Sequence, residues 1–166
     1  MNQPEEKRVG LDKLFLDTRN PRFASYFNRS ASQTTEDSAI SHLIRNAAVV
    51  DLAESIKNFG GLYYGESIHC IKKENSENEF IVLEGNRRIS ACKLLNAVYN
   101  NNSASWLTDE IKIKFSNITQ DVIENISHVS AVIYDNLEMA QPYIVSKQSQ
   151  SQVKPQKNRQ TAQNMV

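Results

Sequence analysis

One run, Phe80-Ile-Val-Leu-Glu-Gly-Asn-Arg-Arg-Ile-Ser-Ala91, constrains this chain more than any other. An apolar strand stops at Glu84-Gly85, and a helix starts within the next two residues. Glycine between a strand and a helix supplies a backbone angle that other residues avoid. Arg87 and Arg88 then fall in the first helical turn. A helix N-terminus carries about half a positive charge, so a cation there costs roughly 0.3–1 kcal/mol. First turns usually hold Asp or Glu instead. An anion in front of the turn removes the conflict. It meets free N–H groups, the helix dipole and two guanidinium groups together. The run therefore predicts a phosphate-binding turn built from Gly85, Asn86, Arg87 and Arg88.

The neighbours of the turn carry two readings each. Glu84 is a candidate general base or Mg²⁺ ligand, or a carboxylate that holds Arg88. Asn86 is a candidate phosphate donor, or the helix N-cap. Ser90 lies one position beyond first-turn contact and reads as structural. Upstream, Asp17-Thr-Arg-Asn-Pro-Arg-Phe23 reads as a loop in which Asn20 and Pro21 shape the presentation of Arg22, a further phosphate candidate.

The rest of the chain supplies elements around this unit. Residues 1–8 read as a loose end, and 9–16 as one short strand. Residues 36–59 read as two helices, because the apolar phase slips near Asn46–Val50. Ile40, Leu43, Ile44 and Ala47 share the first face; Val49, Leu52, Ala53 and Ile56 share the second. Thr34 or Thr35 caps the first helix, and Gly60-Gly61 stops the second. Residues 66–72 and 79–83 form a hairpin. Helix 87–99 buries Ala91, Leu94, Leu95 and Val98. Thr108 caps a short helix that runs through Phe115, and 117–125 has no decisive pattern. A strand over 128–134 and a helix over 137–147 that contains Pro142 complete a domain at 9–147. Residues 148–166 are rich in Gln, Ser and Asn and read as a flexible, weakly basic tail.

Composition narrows the function classes. The chain has 166 residues with 19 Lys plus Arg against 19 Asp plus Glu. That balance argues against a wholly basic nucleic-acid-binding surface but allows a local patch. No run approaches the roughly 18 apolar residues of a membrane helix. The polar start lacks a signal-peptide core, and the two lone cysteines suit a reducing compartment, so a cytoplasmic location is expected. His42, His69 and His128 lack ligand spacing with the cysteines, so no metal site is expected. Tyr63-Tyr64 reads as packing against the sheet, with base stacking as the alternative.

Leu83-Glu-Gly-Asn-Arg-Arg-Ile-Ser-Ala91, with Leu11-Asp-Lys-Leu14 and Asn20-Pro-Arg22 upstream, resembles the ParB N-terminal domain of the ParB/sulfiredoxin superfamily. The resemblance covers roughly 9–135. It implies an α/β (α+β) fold, a small mixed sheet with helices packed around it, whose Gly-x-Arg-Arg turn holds nucleotide phosphates. The implied ligand is a nucleoside triphosphate, CTP or ATP, with Mg²⁺. The implied setting is a DNA-linked bacterial system, with DNA reached directly or through a partner chain, and an oligomer is compatible with it. Two departures stand out. The Glu-Asn-x-x-Arg motif of partitioning proteins is missing from Leu137-Glu-Met-Ala-Gln-Pro-Tyr-Ile144, and no helix-turn-helix reader follows. Asn86 stands where sulfiredoxins need cysteine, which argues against sulfinic-acid repair. The segment Ala140–Ile144 is closer to a divergent ParB-like branch from mobile or defence loci. Two other functions remain open: a nuclease or phosphotransferase with Glu84 as base, and an interaction module in which the arginines grip an acidic partner.

Overall fold

In the computed structural model, residues 3–19, 35–63 and 65–147 are described. They form an α+β fold around a five-stranded mixed sheet of order β1-β5-β3-β4-β2. Strand β1 (Glu5–Gly10) pairs antiparallel with β5 (His128–Tyr134), from Glu5↔Ile133 to Gly10↔His128. The expected loose end is thus a strand from Glu5 onward. Its first four residues are exposed and charged, so no apolar alternation announces them. Backbone pairing holds the strand, and charged side chains suit a sheet edge.

The single strand expected over 9–16 is also corrected. A 3-10 turn at Leu11–Lys13 divides it, and β2 (Leu14–Leu16) lies at the far end of the strand order. The break is anchored by the Leu11 N–H, which donates to Ser127 O at 2.8 Å. Lys7 Nζ of β1 lies 5.4 Å from the centre of the Phe80 ring on β4, two strands beyond its partner.

Helices α1 (Glu36–Asn46) and α2 (Val49–Phe59) meet at Ala47-Ala48, where the apolar phase slips. Thr35 caps α1 through a reciprocal pair: Ser38 N–H donates to Thr35 Oγ1 at 3.1 Å, and Thr35 N–H to Ser38 Oγ at 3.0 Å. Such a box satisfies two orphan donors at once. Gly60 ends α2 in the left-handed region at φ 97°. Strands β3 (Ile68–Lys72) and β4 (Phe80–Glu84) form the expected hairpin, β3 starting two residues later than the apolar pattern suggests.

Helix α3 (Asn86–Tyr99) is the spine of the core. Ile89, Ser90, Ala91, Cys92, Leu94, Leu95 and Ala97 are all buried, so the helix is enclosed on most of its circumference. Each large apolar side chain buried there contributes about 1.5–3 kcal/mol relative to exposure. Thr108 and Thr119 cap α4 (Asp109–Lys114) and α5 (Gln120–Ile126), so the undecided stretch is largely helical. A last helix, α6, spans 137–147 through Pro142. Among the described residues, no helix is long and apolar enough to cross a membrane.

Candidate phosphate-binding turn

The turn sits where two parallel strands end together. Strands β2 and β4 run parallel with Leu14↔Phe80 and Leu16↔Val82 in register, and β4 feeds directly into Gly85. Gly85 adopts φ 108°, a conformation that L side chains rarely take. A Cβ there would lie 2.6 Å from Ile68 Cγ2. Ile68 is fully buried, so the position is closed both conformationally and sterically.

Gly85, not Asn86, is the N-cap of α3, and among the described residues no side chain caps this end. Asn86 is instead the first helical residue. Its Nδ2 donates to Val82 O at 3.0 Å, while its Oδ1 accepts from the Asp17 N–H at 3.3 Å. The amide thus ties β4, α3 and the chain leaving β2 into one joint. Asp17 is half-buried, and desolvation raises its carboxyl above the ordinary range against the opposing pull of Arg19.

Both arginines reach main-chain carbonyls. Arg87 is exposed; its Nε donates to Ala47 O, and its Nη2 to Ala48 O at 3.4 Å. Arg88 is partly buried; its Nη2 donates to Ser67 O at 3.4 Å, and its Nη1 lies 3.6 Å from Glu66 Oε2. The carboxylate beside Arg88 is therefore Glu66 rather than Glu84. Among the described residues, no ion pair reaches Glu84. Within the same residues no three His, Cys, Asp or Glu side chains group closely enough to hold a metal ion. Asn20, Pro21 and Arg22 lie outside the described residues, as do Tyr64 and the tail. Tyr63 does not pack under the sheet. It stays 46% exposed and meets the Phe59 ring at 4.4 Å between centroids.

His69 also lies beside the turn, although its spacing marks it for no role. It pairs across the hairpin with Glu84, next to the turn. Its Nδ1 shares a hydrogen bond of 2.9 Å with the Tyr134 hydroxyl, and its ring stacks on Tyr143 of α6 at 3.7 Å. Burial, with Lys147 and then Arg88 adding positive potential, pushes its pKa down to about 4. His69 is thus an uncharged ring at neutral pH. No local pattern could reveal it, because its partners come from strands and helices about 65 residues away or more. Burial raises both thiols, Cys70 and Cys92, to about 12, so neither is a ready nucleophile.

A separate cleft of about 400 Å³ lies against Asp12, Asp37, Lys93, Asn96 and Trp106. Its rim is largely satisfied internally. Trp106 Nε1 donates to Asp37 Oδ1 at 3.3 Å, and Lys93 Nζ lies 3.2 Å from Glu36 Oε1. It includes no residue of the arginine turn. No protein-family model, curated protein or solved structure matches the chain.

Proposed function

We propose that the Gly85–Arg88 turn binds the phosphate groups of a nucleotide, and that the chain acts as a ParB-like domain in a DNA-linked bacterial system. One observation carries the reading. Helix α3 opens on a left-handed glycine with no side-chain cap, and its first turn carries two arginines fixed by main-chain carbonyls. First-turn N–H groups have no acceptor within their own helix, so an anion there completes their hydrogen bonding. Guanidinium groups already held in place lose less freedom on binding. Arg87 and Arg88 supply charge, Gly85 admits close approach of the anion, and Asn86 fixes the turn on the sheet. Arg22 is a further phosphate-contact candidate in this reading. CTP or ATP, with Mg²⁺, is the expected ligand class.

The test is a thermal-shift panel of CTP, ATP, GTP, UTP and short DNA, with and without Mg²⁺. A ligand at a hundred times its dissociation constant stabilises the fold by about 2.7 kcal/mol. A shift with one nucleotide, absent in Arg88→Ala, supports the site. A flat panel from a folded protein leaves the arginines as structural ties and removes the nucleotide reading. Turnover that Glu84→Gln abolishes while binding persists would make the protein an enzyme.

A further inference from the structure

The joint between α1 and α2 is strained and tied to the arginine turn. Ala48 sits in the left-handed region at φ 52° and ψ 40°, where a non-glycine residue is uncommon. Ala47 O and Ala48 O both accept from Arg87. Ala48 O also accepts the Leu52 N–H at 3.1 Å, the first main-chain bond of α2. The Ala47 N–H closes α1 by donating to Leu43 O at 2.9 Å. One guanidinium thus grips the end of one helix and the start of the next from a turn about 40 residues away.

A guanidinium offers five donors in a fixed planar fork. Arg87 spends its Nε/Nη2 edge on the two carbonyls, and among the described residues nothing accepts from its Nη1 edge. We propose that Arg87 is a shared tie, through which an anion bound at the α3 turn stiffens the α1–α2 joint. The inference rests on the phosphate reading. An anion on the Nη1 edge restrains the guanidinium and hence its hold on Ala47 and Ala48. Helix α1 is then held more firmly when the turn is occupied. Binding and the posture of α1 become linked through one side chain.

Amide exchange read by NMR tests this on the whole chain, with inorganic triphosphate as probe. Chemical shifts of Asn86, Arg87 and Arg88 amides report binding; exchange at Ala47 and Leu52 reports the joint. In the wild type, saturating triphosphate is expected to slow exchange at both joint amides several-fold. Arg87→Lys keeps the charge but not the fork. In that variant the joint is expected to exchange faster without ligand and to show no slowing with it, while the turn still responds. Turn shifts without joint slowing in the wild type would overturn the tie and leave the phosphate reading standing. Joint slowing that persists in Arg87→Lys would assign the coupling to another route and overturn the role of Arg87. Silence at both turn and joint would contradict the phosphate reading and the tie together.

Discussion

Gly85 carries the sharpest consequence at the scale of single residues. Alanine there combines a backbone conformation foreign to L residues with a 2.6 Å approach to Ile68. Left-handed strain and overpacking each cost about 1–3 kcal/mol, so Gly85→Ala is expected to lose roughly 2–6 kcal/mol in urea unfolding. Ser90 predicts the opposite sign. Its Oγ is fully buried and, among the described residues, has no hydrogen-bond partner. Ser90→Ala removes an unsatisfied group, and should be neutral or stabilising by up to ~1–2 kcal/mol in the same assay. His69 sets a pH dependence. Its folded pKa of about 4 lies below the ordinary 6.5, so folding favours the neutral ring. Its stabilising contribution is complete above pH 6.5 and is lost as pH falls from there toward 4. Allowing for partial solvent screening, the loss is ~1–2 kcal/mol. It should appear in urea midpoints across that range, and His69→Phe should flatten it.

At the scale of elements, the α1–α2 joint offers a direct check of strain. Ala48→Gly removes the left-handed penalty of about 1–2 kcal/mol at the cost of a more flexible unfolded chain. A net gain of about 0.5–1 kcal/mol is expected, read as a higher urea midpoint at unchanged slope. The joint was legible in advance, because the shift from the Ile40/Leu43 face to the Val49/Ala53 face requires a break. The hairpin, the cap at Thr108 and strand β5 were legible for similar reasons: alternation, turn chemistry and caps act over a few residues. Strand β1 was not, since its charged residues owe their conformation to pairing with β5 over 120 residues away. Helix α5 was hidden by its shortness, although Thr119 followed by Asp121 is a start signal in retrospect.

The whole molecule explains why the candidate site was legible only in part. The turn itself is local, and its glycine, helix start and arginines follow from twelve consecutive residues. What those arginines hold is set by topology. Arg88 reaches Glu66 and Ser67 because β3 lies beside β4, and Arg87 reaches Ala47 and Ala48 because α2 packs along α3. Spacing in the sequence suggested Glu84 for Arg88; the hairpin delivers Glu66 instead. The same packing sets His69 beside Glu84 and stacks Tyr143 of α6 on its ring. Anion binding there should weaken with salt, because solvent-exposed charges are screened over about 8 Å at physiological ionic strength.

The most direct measurement is a calorimetric titration of inorganic triphosphate into wild type and into Arg88→Gln, with folding of both checked by circular dichroism. Losing a charge-assisted hydrogen bond costs about 1.5–3 kcal/mol, or roughly 10–150-fold in affinity. Saturable binding by the wild type is expected, weakened by that factor in the variant. Equal affinity in both proteins, or no binding by a folded wild type, would contradict the phosphate-binding turn.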